Sequence, residues 1–300
     1  MTLRAVPATD AAYELAEGVI WDDRAELVRW VDINAGRVLR GSLRGERIVD
    51  IAATDLGQSA GAVALTEDGG LLVAAARGLA VISSDGAVSF GPDLLGGRRD
   101  VRLNDGAVDL QGRFVVGTLA LGAETGDEVL LRISPDGTVE TLRSGIRLSN
   151  GVAFSPDGGT VYHIDTLANT ISRHSYGDGA FDDDEQWMPI LCDLPHCPDG
   201  LTVDAEGMLW VALWGGASVR RHAPTGELLE VVQVDAAQVS CPAFLGPVLR
   251  RLGITTAQEG LASWPDQAGA LFTADVGVAG LPVPRWRGST TTPYWQKAEQ

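Results

Sequence analysis

The sequence predicts an all-β protein folded as a six-bladed β-propeller with four-stranded blades. Three observations favour this fold. A unit of short apolar strands separated by turns recurs along the chain, its period lies between 43 and 49 residues, and no long segment shows the apolar spacing of an amphipathic helix. Periods of about 40–50 residues that contain four strands are typical of propeller blades.

A glycine near the start of each unit marks the repeat. The steps between successive marker glycines are 43, 45, 45 and 49 residues, for Gly18, Gly61, Gly106, Gly151 and Gly200. A sixth, less regular unit begins near Ser240 and continues through 252–256 to 270–275. A large β-sandwich, the alternative all-β fold, does not explain such a period.

Each unit begins with a strand at its marker glycine, and the strands that follow can be assigned in order. Second strands are predicted at 27–33, 71–75, 113–118, 160–164 and 208–213. Third strands are predicted at 38–41, 80–83, 130–133, 170–174 and 218–221. Turns such as Asp85-Gly86 and Asp136-Gly137 then lead to fourth strands, since Asp-Gly between apolar runs is a strong hairpin signal.

The composition is that of one folded domain. The chain has 300 residues, of which 45% are hydrophobic and 21% are charged, so it can bury a sizeable core. We expect a single domain over 1–300, with a core at about 14–286 and a tail at 287–300. The segments 181–186 and 291–300 are expected to be exposed. The 37 glycines are assigned to turns.

The charge balance excludes two classes of partner. With 23 Lys and Arg against 40 Asp and Glu, the net charge is −17, whereas nucleic acids and anionic membrane surfaces require basic patches. Three cysteines and an N-terminus without an apolar signal core predict a cytoplasmic, soluble protein. We expect a monomer or a weak homo-oligomer.

In a propeller the first strand of each blade lines the central channel. The residue just before the marker glycine lies at the start of this strand, and in most units it is polar. Asn and Asp also form turns before Gly, but Glu17 has no such reason to lie there. Carboxylates that converge at one end of a channel repel one another unless a cation lies between them. A hard divalent ion is therefore predicted at this ring. Its members are Glu17, Ala60, Asp105, Asn150, Asp199 and, in the sixth unit, Ser240 or Cys241.

Several segments together resemble a known family. They are 15–21, 102–109, 148–154 and 198–214, and 268–282 is similar to the family's closing blade. These segments resemble the SMP-30/gluconolactonase/luciferin-regenerating-enzyme family, and the resemblance extends from about 14 to 286. It implies a six-bladed propeller that binds one divalent cation at one mouth of its channel.

The resemblance also implies roles for individual residues. Glu17, Asn150 and Asp199 would be the metal ligands, and Arg102 and Asn104 would contact the substrate. The sequence leaves the cation open among Ca²⁺, Mg²⁺, Mn²⁺, Fe²⁺ and Zn²⁺. Many sugar lactonases carry an acidic substrate contact where this chain has 117–122, and neither Glu124 nor Asp127 matches that position.

The implied activity is metal-dependent hydrolysis of a sugar lactone to the aldonic acid. The ion would activate the carbonyl and water, and Asp199 would be both ligand and general base. Two alternatives stay open: a metal-dependent phosphoester or organophosphate hydrolase, and a propeller that binds small molecules without catalysis. The segment 192–197 is expected to be a loop rather than a cysteine metal cluster.

Overall fold

The computed structural model describes residues 2–177, 187–192, 194–263 and 267–297. The chain begins with two short strands, β1 (Thr2–Arg4) and β2 (Val6–Pro7), and six sheets follow around a central channel. The six-bladed propeller predicted from the repeat is confirmed. The expected exposed loop at 181–186 lies outside the described residues.

Blades 1 to 3 each contain four antiparallel strands in chain order from the channel outwards. Blade 1 consists of β3 (Ala16–Asp22), β4 (Leu27–Asp32), β5 (Arg37–Arg44) and β6 (Arg47–Asp55). Blade 2 consists of β7 (Ala60–Leu65), β8 (Leu71–Ala75), β9 (Leu79–Ile82) and β10 (Val88–Phe90). Blade 3 consists of β11 (Val101–Val108), β12 (Phe114–Ala120), β13 (Glu128–Ile133) and β14 (Val139–Ile146).

Blades 4 to 6 repeat this plan, and the last two take a further strand from the N-terminus. Blade 4 consists of β15 (Ser149–Phe154), β16 (Thr160–Asp165), β17 (Thr170–Ser175) and β18 (Met188–Cys192). Blade 5 contains β19 (Cys197–Val203), β20 (Leu209–Trp214), β21 (Ser218–His222) and β22 (Leu228–Gln233). Blade 6 contains β23 (Val239–Leu245), β24 (Arg251–Thr256) and β25 (Phe272–Asp275).

The N-terminal strands close the ring. Strand β2 pairs antiparallel with β25 and completes blade 6, and β1 pairs in parallel with β22 as a fifth strand of blade 5. The predicted core began at about residue 14, so these strands lie outside it. They are two and three residues long, too short to show a period of alternation.

Each interface between neighbouring blades is filled by its own apolar cluster. Trp30 is fully buried between blades 1 and 6, and Trp210 between blades 5 and 6. Apolar residues on both faces of each sheet are required because every blade packs against two neighbours. The core is therefore a ring of six clusters around the channel rather than one central body.

The C-terminal segment crosses the face opposite the ring of polar residues. We call residues 279–287 the C-terminal strap. The backbone of Ala279 accepts a hydrogen bond from Ala205 in blade 5, and the amide of Trp286 donates to Leu65 in blade 2. Beyond it, Thr290 is buried against blade 2, and the helix α1 (Tyr294–Lys297) follows. The predicted tail is therefore packed on the propeller as far as the structure describes it.

In the described ranges, no helix is long and apolar enough to cross a membrane.

Candidate metal and substrate site

A β-bulge interrupts the innermost strand of every blade near its start. The pairing register shifts at this point between the first and second strands of all six blades. A bulge leaves residues out of the ladder and turns their side chains to a new direction, as is common beside active sites. Asn104, Asp105, Asn150 and Asp199 lie in these bulges, and Glu17 is the last paired residue before the bulge of blade 1.

Three of the five marker glycines bring neighbouring innermost strands into close contact. A Cβ atom on Gly61 would lie 2.6 Å from the carbonyl oxygen of Asn104, and one on Gly151 would lie 2.7 Å from that of Asp199. On Gly200 it would lie 2.6 Å from the carbonyl oxygen of Ser240. Only glycine permits these approaches, so the residues preceding the glycines lie in one narrow ring.

Hydrogen bonds connect this ring from blade 3 to blade 5. Asn104 Nδ2 donates to Asn150 Oδ1 at 3.1 Å and to the carbonyl of Ser149 at 2.9 Å. Asn150 Nδ2 donates to Thr166 Oγ1 at 3.0 Å, and Thr166 Oγ1 donates to the carbonyl of Pro198 at 2.7 Å. The side chains of Asn104 and Asn150 are therefore fixed in orientation. Asp199 is the residue after Pro198, so it lies at the end of this chain of hydrogen bonds.

Three carboxylates of the ring are buried close to one another. Glu17, Asp105 and Asp199 are 5%, 8% and 6% exposed. Burial raises the pKa of Glu17 well above its usual range, and the charges of Asp199 and Asp105 raise it further. Burial also raises the pKa of Asp199, with added repulsion from Asp105, and raises the pKa of Asp105 to about 6. The charge of Arg102 lowers the pKa of Glu17 and Asp199 but does not cancel these effects, so the three acids are not fully compensated when ionised.

This charge, together with the neighbouring amide, fits a divalent cation. Carboxylate and amide oxygens are the donors that hard cations prefer. Across the described part of the chain, no group of three or more His, Cys, Asp or Glu side chains is arranged to hold a metal ion. Asn150 is suitably placed, since it lies at the corresponding bulge and its side chain lowers the pKa of Asp199.

Arg102 lies beside the acidic ring. Its Nη1 donates to Asn104 Oδ1 at 2.6 Å and to the carbonyl of Leu103 at 3.0 Å. Burial lowers the pKa of Arg102 to about 10, and the charges of Glu259, Glu17 and Asp199 act in the opposite direction. The guanidinium stays cationic at neutral pH, and its remaining N–H groups can donate to an anionic or carbonyl oxygen.

The structure therefore brings together the five residues predicted for the site, and it adds others. Asp105 belonged to the predicted ring but had no assigned role. Cys241 also lies near the acids: burial raises the pKa of its thiol well above the usual range, so the thiol stays protonated. Glu259 was missed, because its loop after β24 carries no repeat signal. Ser240 Oγ donates to the carbonyl of Ala16 at 2.6 Å, which joins blade 6 to blade 1.

The other end of the channel has a different character. A cavity of about 520 Å³ extends from Asp105 and Cys241 of the ring to the C-terminal strap at Val283. Most of its wall is apolar, with Val19, Val152, Val203 and Phe244 among the lining residues. A polyhydroxylated ligand would lose hydrogen bonds to water there. The polar mouth is the better candidate for a sugar site.

The fold and site can be compared with known proteins. A sequence model described as "SMP-30/Gluconolactonase/LRE-like region" matches residues 15–258. The chain belongs to this family. It is 31% identical to 6-deoxy-6-sulfogluconolactonase of Pseudomonas putida, over 91% of this chain and 95% of that protein. It is 34% identical to L-arabinolactonase of Azospirillum brasilense, over 93% and 94% of the two chains.

The same family likeness is found among solved structures. A calcium-binding protein, regucalcin, from Agrobacterium tumefaciens superposes with a TM-score of 0.88 at 26% identity. The match covers 96% of this chain and 99% of that one. The family resemblance predicted from the sequence is confirmed.

Proposed function

We propose that this protein hydrolyses a sugar lactone to the open-chain aldonic acid, using a divalent cation held by Glu17, Asn150 and Asp199. The observation that carries the proposal is the pair of buried carboxylates, Glu17 and Asp199, beside a buried arginine. Burial raises the pKa of both, and the charge of Asp199 raises the pKa of Glu17 further. Related proteins named for sulfogluconolactone and L-arabinolactone support the substrate class.

The chemistry requires water to add to the lactone carbonyl while the ring C–O bond breaks. A divalent ion at this site would supply Lewis-acid polarisation of the carbonyl and would lower the pKa of water. Asp199 is proposed to accept the proton of the attacking water, and that proton is finally delivered to the ring oxygen as it leaves. The products are a carboxyl group and a hydroxyl group on one chain.

Arg102 and Asn104 are proposed to orient the substrate. The guanidinium of Arg102 is fixed by Asn104 Oδ1 at 2.6 Å, so its other N–H groups are directed without further ordering. They would donate to the ester oxygens and to the carboxylate as it forms. Asn104 in turn is held by the backbone of Ser149, which limits its rotation.

The test is acid release from D-glucono-1,5-lactone by protein loaded with Ca²⁺, Mn²⁺ or Zn²⁺ in parallel samples. Asp199→Asn should lower kcat/KM by about 10²–10⁴-fold, the usual contribution of a general base. Asp85→Asn is the matched control, because Asp85 is an exposed turn residue of blade 2. Equal rates for wild type and Asp199→Asn would refute the proposal.

The same samples separate the two alternatives. Aryl phosphates and organophosphate triesters are offered beside the lactone. Turnover of the phosphorus compounds alone would identify a phosphoester hydrolase. Saturable binding of the lactone without turnover by any loaded sample would identify a binding propeller.

A further inference from the structure

The cavity between the polar ring and the C-terminal strap is walled by all six blades. Its volume of about 520 Å³ lies within the roughly 300–1,000 Å³ of pockets that bind small molecules. Each innermost strand contributes an apolar side chain to the wall. These side chains are Val19, Val63, Val108, Val152, Val203 and Phe244. Apolar cavities much smaller than this one exclude water and accept hydrocarbons, so the wall favours an apolar ligand.

The C-terminal strap covers part of this cavity with apolar residues. Leu281 and Val283 line the cavity, and Pro282 and Pro284 alternate with them. Proline has no N–H group, so these two positions turn no unpaired donor towards an apolar space. Backbone hydrogen bonds to blades 5 and 2 hold the two ends of the strap. These features fit the roof of an apolar ligand site.

The rim of the cavity at blades 3 and 4 is open. Leu110, in the turn after β11, lines the cavity and is 44% exposed. Pro156, in the turn after β15, also lines the cavity and is exposed. Because these side chains face both the cavity and the solvent, a ligand can enter between them.

Arg287 lies at the same rim and carries a positive charge without an ion-pair partner. Its amide donates to the carbonyl of Gly112 at 3.1 Å, and its side chain lies over Gly112, where a Cβ atom would be 2.3 Å from Arg287 Cγ. Over the described ranges no carboxylate lies within 4.0 Å of its guanidinium. Arg285 and Glu67 also line the cavity, but both form ion pairs with residues of blade 1.

The inner end of the cavity has the opposite charge. Asp105 lies there, buried in the polar ring. Its carboxylate repels an anion, whereas Arg287 at the rim attracts one. A ligand with an anionic group at one end is therefore oriented with that group at the rim and its apolar part along the wall.

We propose that this cavity binds a medium-chain alkyl carboxylate. The carboxylate lies at Arg287, and the chain lies between the strap and the apolar wall. A sugar is disfavoured because its hydroxyl groups find few partners there, and an alkylammonium ion is repelled by Arg287. The site is separate from the polar mouth, and the inference does not depend on the proposed lactonase activity.

The experiment measures the Kd of hexanoate, octanoate and decanoate by calorimetry on the full chain without added metal. If the chain is buried in the cavity, affinity should rise by about 15-fold for each two methylene groups. Octan-1-ol, which has the same chain length as octanoate but no charge, is the probe for the carboxylate. It should bind more weakly than octanoate.

Two variants test the two parts of the site. Ala107 is half-buried on the cavity wall, so Ala107→Phe should fill the space and weaken octanoate binding by about 10-fold or more. Its control is Ala53→Phe, on the exposed side of β6. Arg287→Gln should weaken octanoate by about two- to fivefold and leave octan-1-ol unchanged. Its control is Arg40→Gln, exposed on β5, and both controls should stay within about twofold of wild type.

Several outcomes would overturn the inference. They are the absence of saturable octanoate binding by wild type, a Kd that does not depend on chain length, and equal losses for each variant and its control. Octan-1-ol binding as tightly as octanoate would exclude the carboxylate as the recognised group. If Ala107→Phe fails to fold, the chain-length series and Arg287→Gln decide the question.

Discussion

Gly151→Ala tests whether the contact between blades 4 and 5 sets the geometry of the site. An ideal Cβ at this position would lie 2.7 Å from the carbonyl oxygen of Asp199 and from Leu201 Cβ, and 2.8 Å from Ile164 Cδ1. Optimal contacts between carbon atoms are about 3.5–4.0 Å, so each neighbour must move by roughly 1 Å. One of these neighbours is backbone, which cannot rotate away.

The expected cost follows from two opposing effects. Overpacking of a core costs about 1–3 kcal/mol, and the reduced entropy of the unfolded chain offsets about 0.4–1 kcal/mol of it. Gly151 does not have a left-handed backbone conformation, so alanine adds no strain in φ. Gly151→Ala should therefore lower the free energy of unfolding by about 1–2 kcal/mol. It should also lower kcat/KM for the lactone, because Asp199 is displaced.

Gly122→Ala is the control, since a Cβ there meets nothing within 4 Å and Gly122 also lacks a left-handed φ. It should raise the free energy of unfolding by up to about 1 kcal/mol. Urea denaturation gives both values, and the slopes should match wild type. If the two variants have the same free energy of unfolding, the close approach of the blades is not what requires glycine at 151.

Three further predictions concern the cation, a buried histidine and a buried turn. Ca²⁺ or Zn²⁺ at a hundred times its Kd should stabilise wild type by about 2.7 kcal/mol and raise its Tm, whereas the Tm of Asp199→Asn should not rise. An equal rise in Tm for the variant would exclude Asp199 as a ligand. Burial lowers the pKa of His163 well below 6.5, so as the pH falls this histidine is protonated in the unfolded chain before it is protonated in the folded protein. Below about pH 6.5 the free energy of unfolding of wild type should therefore fall by up to about 1.4 kcal/mol per pH unit relative to His163→Gln, as measured by urea denaturation, and parallel pH profiles would contradict this. Asp204 is fully buried and accepts from Trp210 Nε1 and Arg221 Nε, so Asp204→Ala should cost about 3–5 kcal/mol, and a loss below 1 kcal/mol would show that these donors find other partners.

The repeat made most of the fold predictable. The second strand of blade 2 was predicted at 71–75 and is found at Leu71–Ala75, because a short apolar run bounded by turn residues is a local signal. The ring was predicted by register alone, since equivalent positions in successive blades occupy equivalent places around the channel. Asp105 was located in this way, but its burial and its repulsion of Asp199 depend on how the blades pack and are seen only in the structure.

The remaining features depend on contacts between distant parts of the chain. Strand β2 takes its place from β25, at the other end of the sequence, and two residues carry no periodic signal. The loop of Glu259 is fixed by the carbonyl of Glu14, in a different blade. The C-terminal strap is held by blades 2 and 5 rather than by a pattern of its own.

The N-terminal strands have a consequence for the order of folding. In β1, Arg4 forms an ion pair with Asp235, 231 residues away along the chain. Strands β1 and β2 are made before blades 5 and 6, so they must wait, unpaired, until those blades exist. Blades 1 to 4 can pair their own strands as they emerge, but the ring can only be fastened at the end. We expect closure to be a late, slow event, governed by a contact of very high sequence separation.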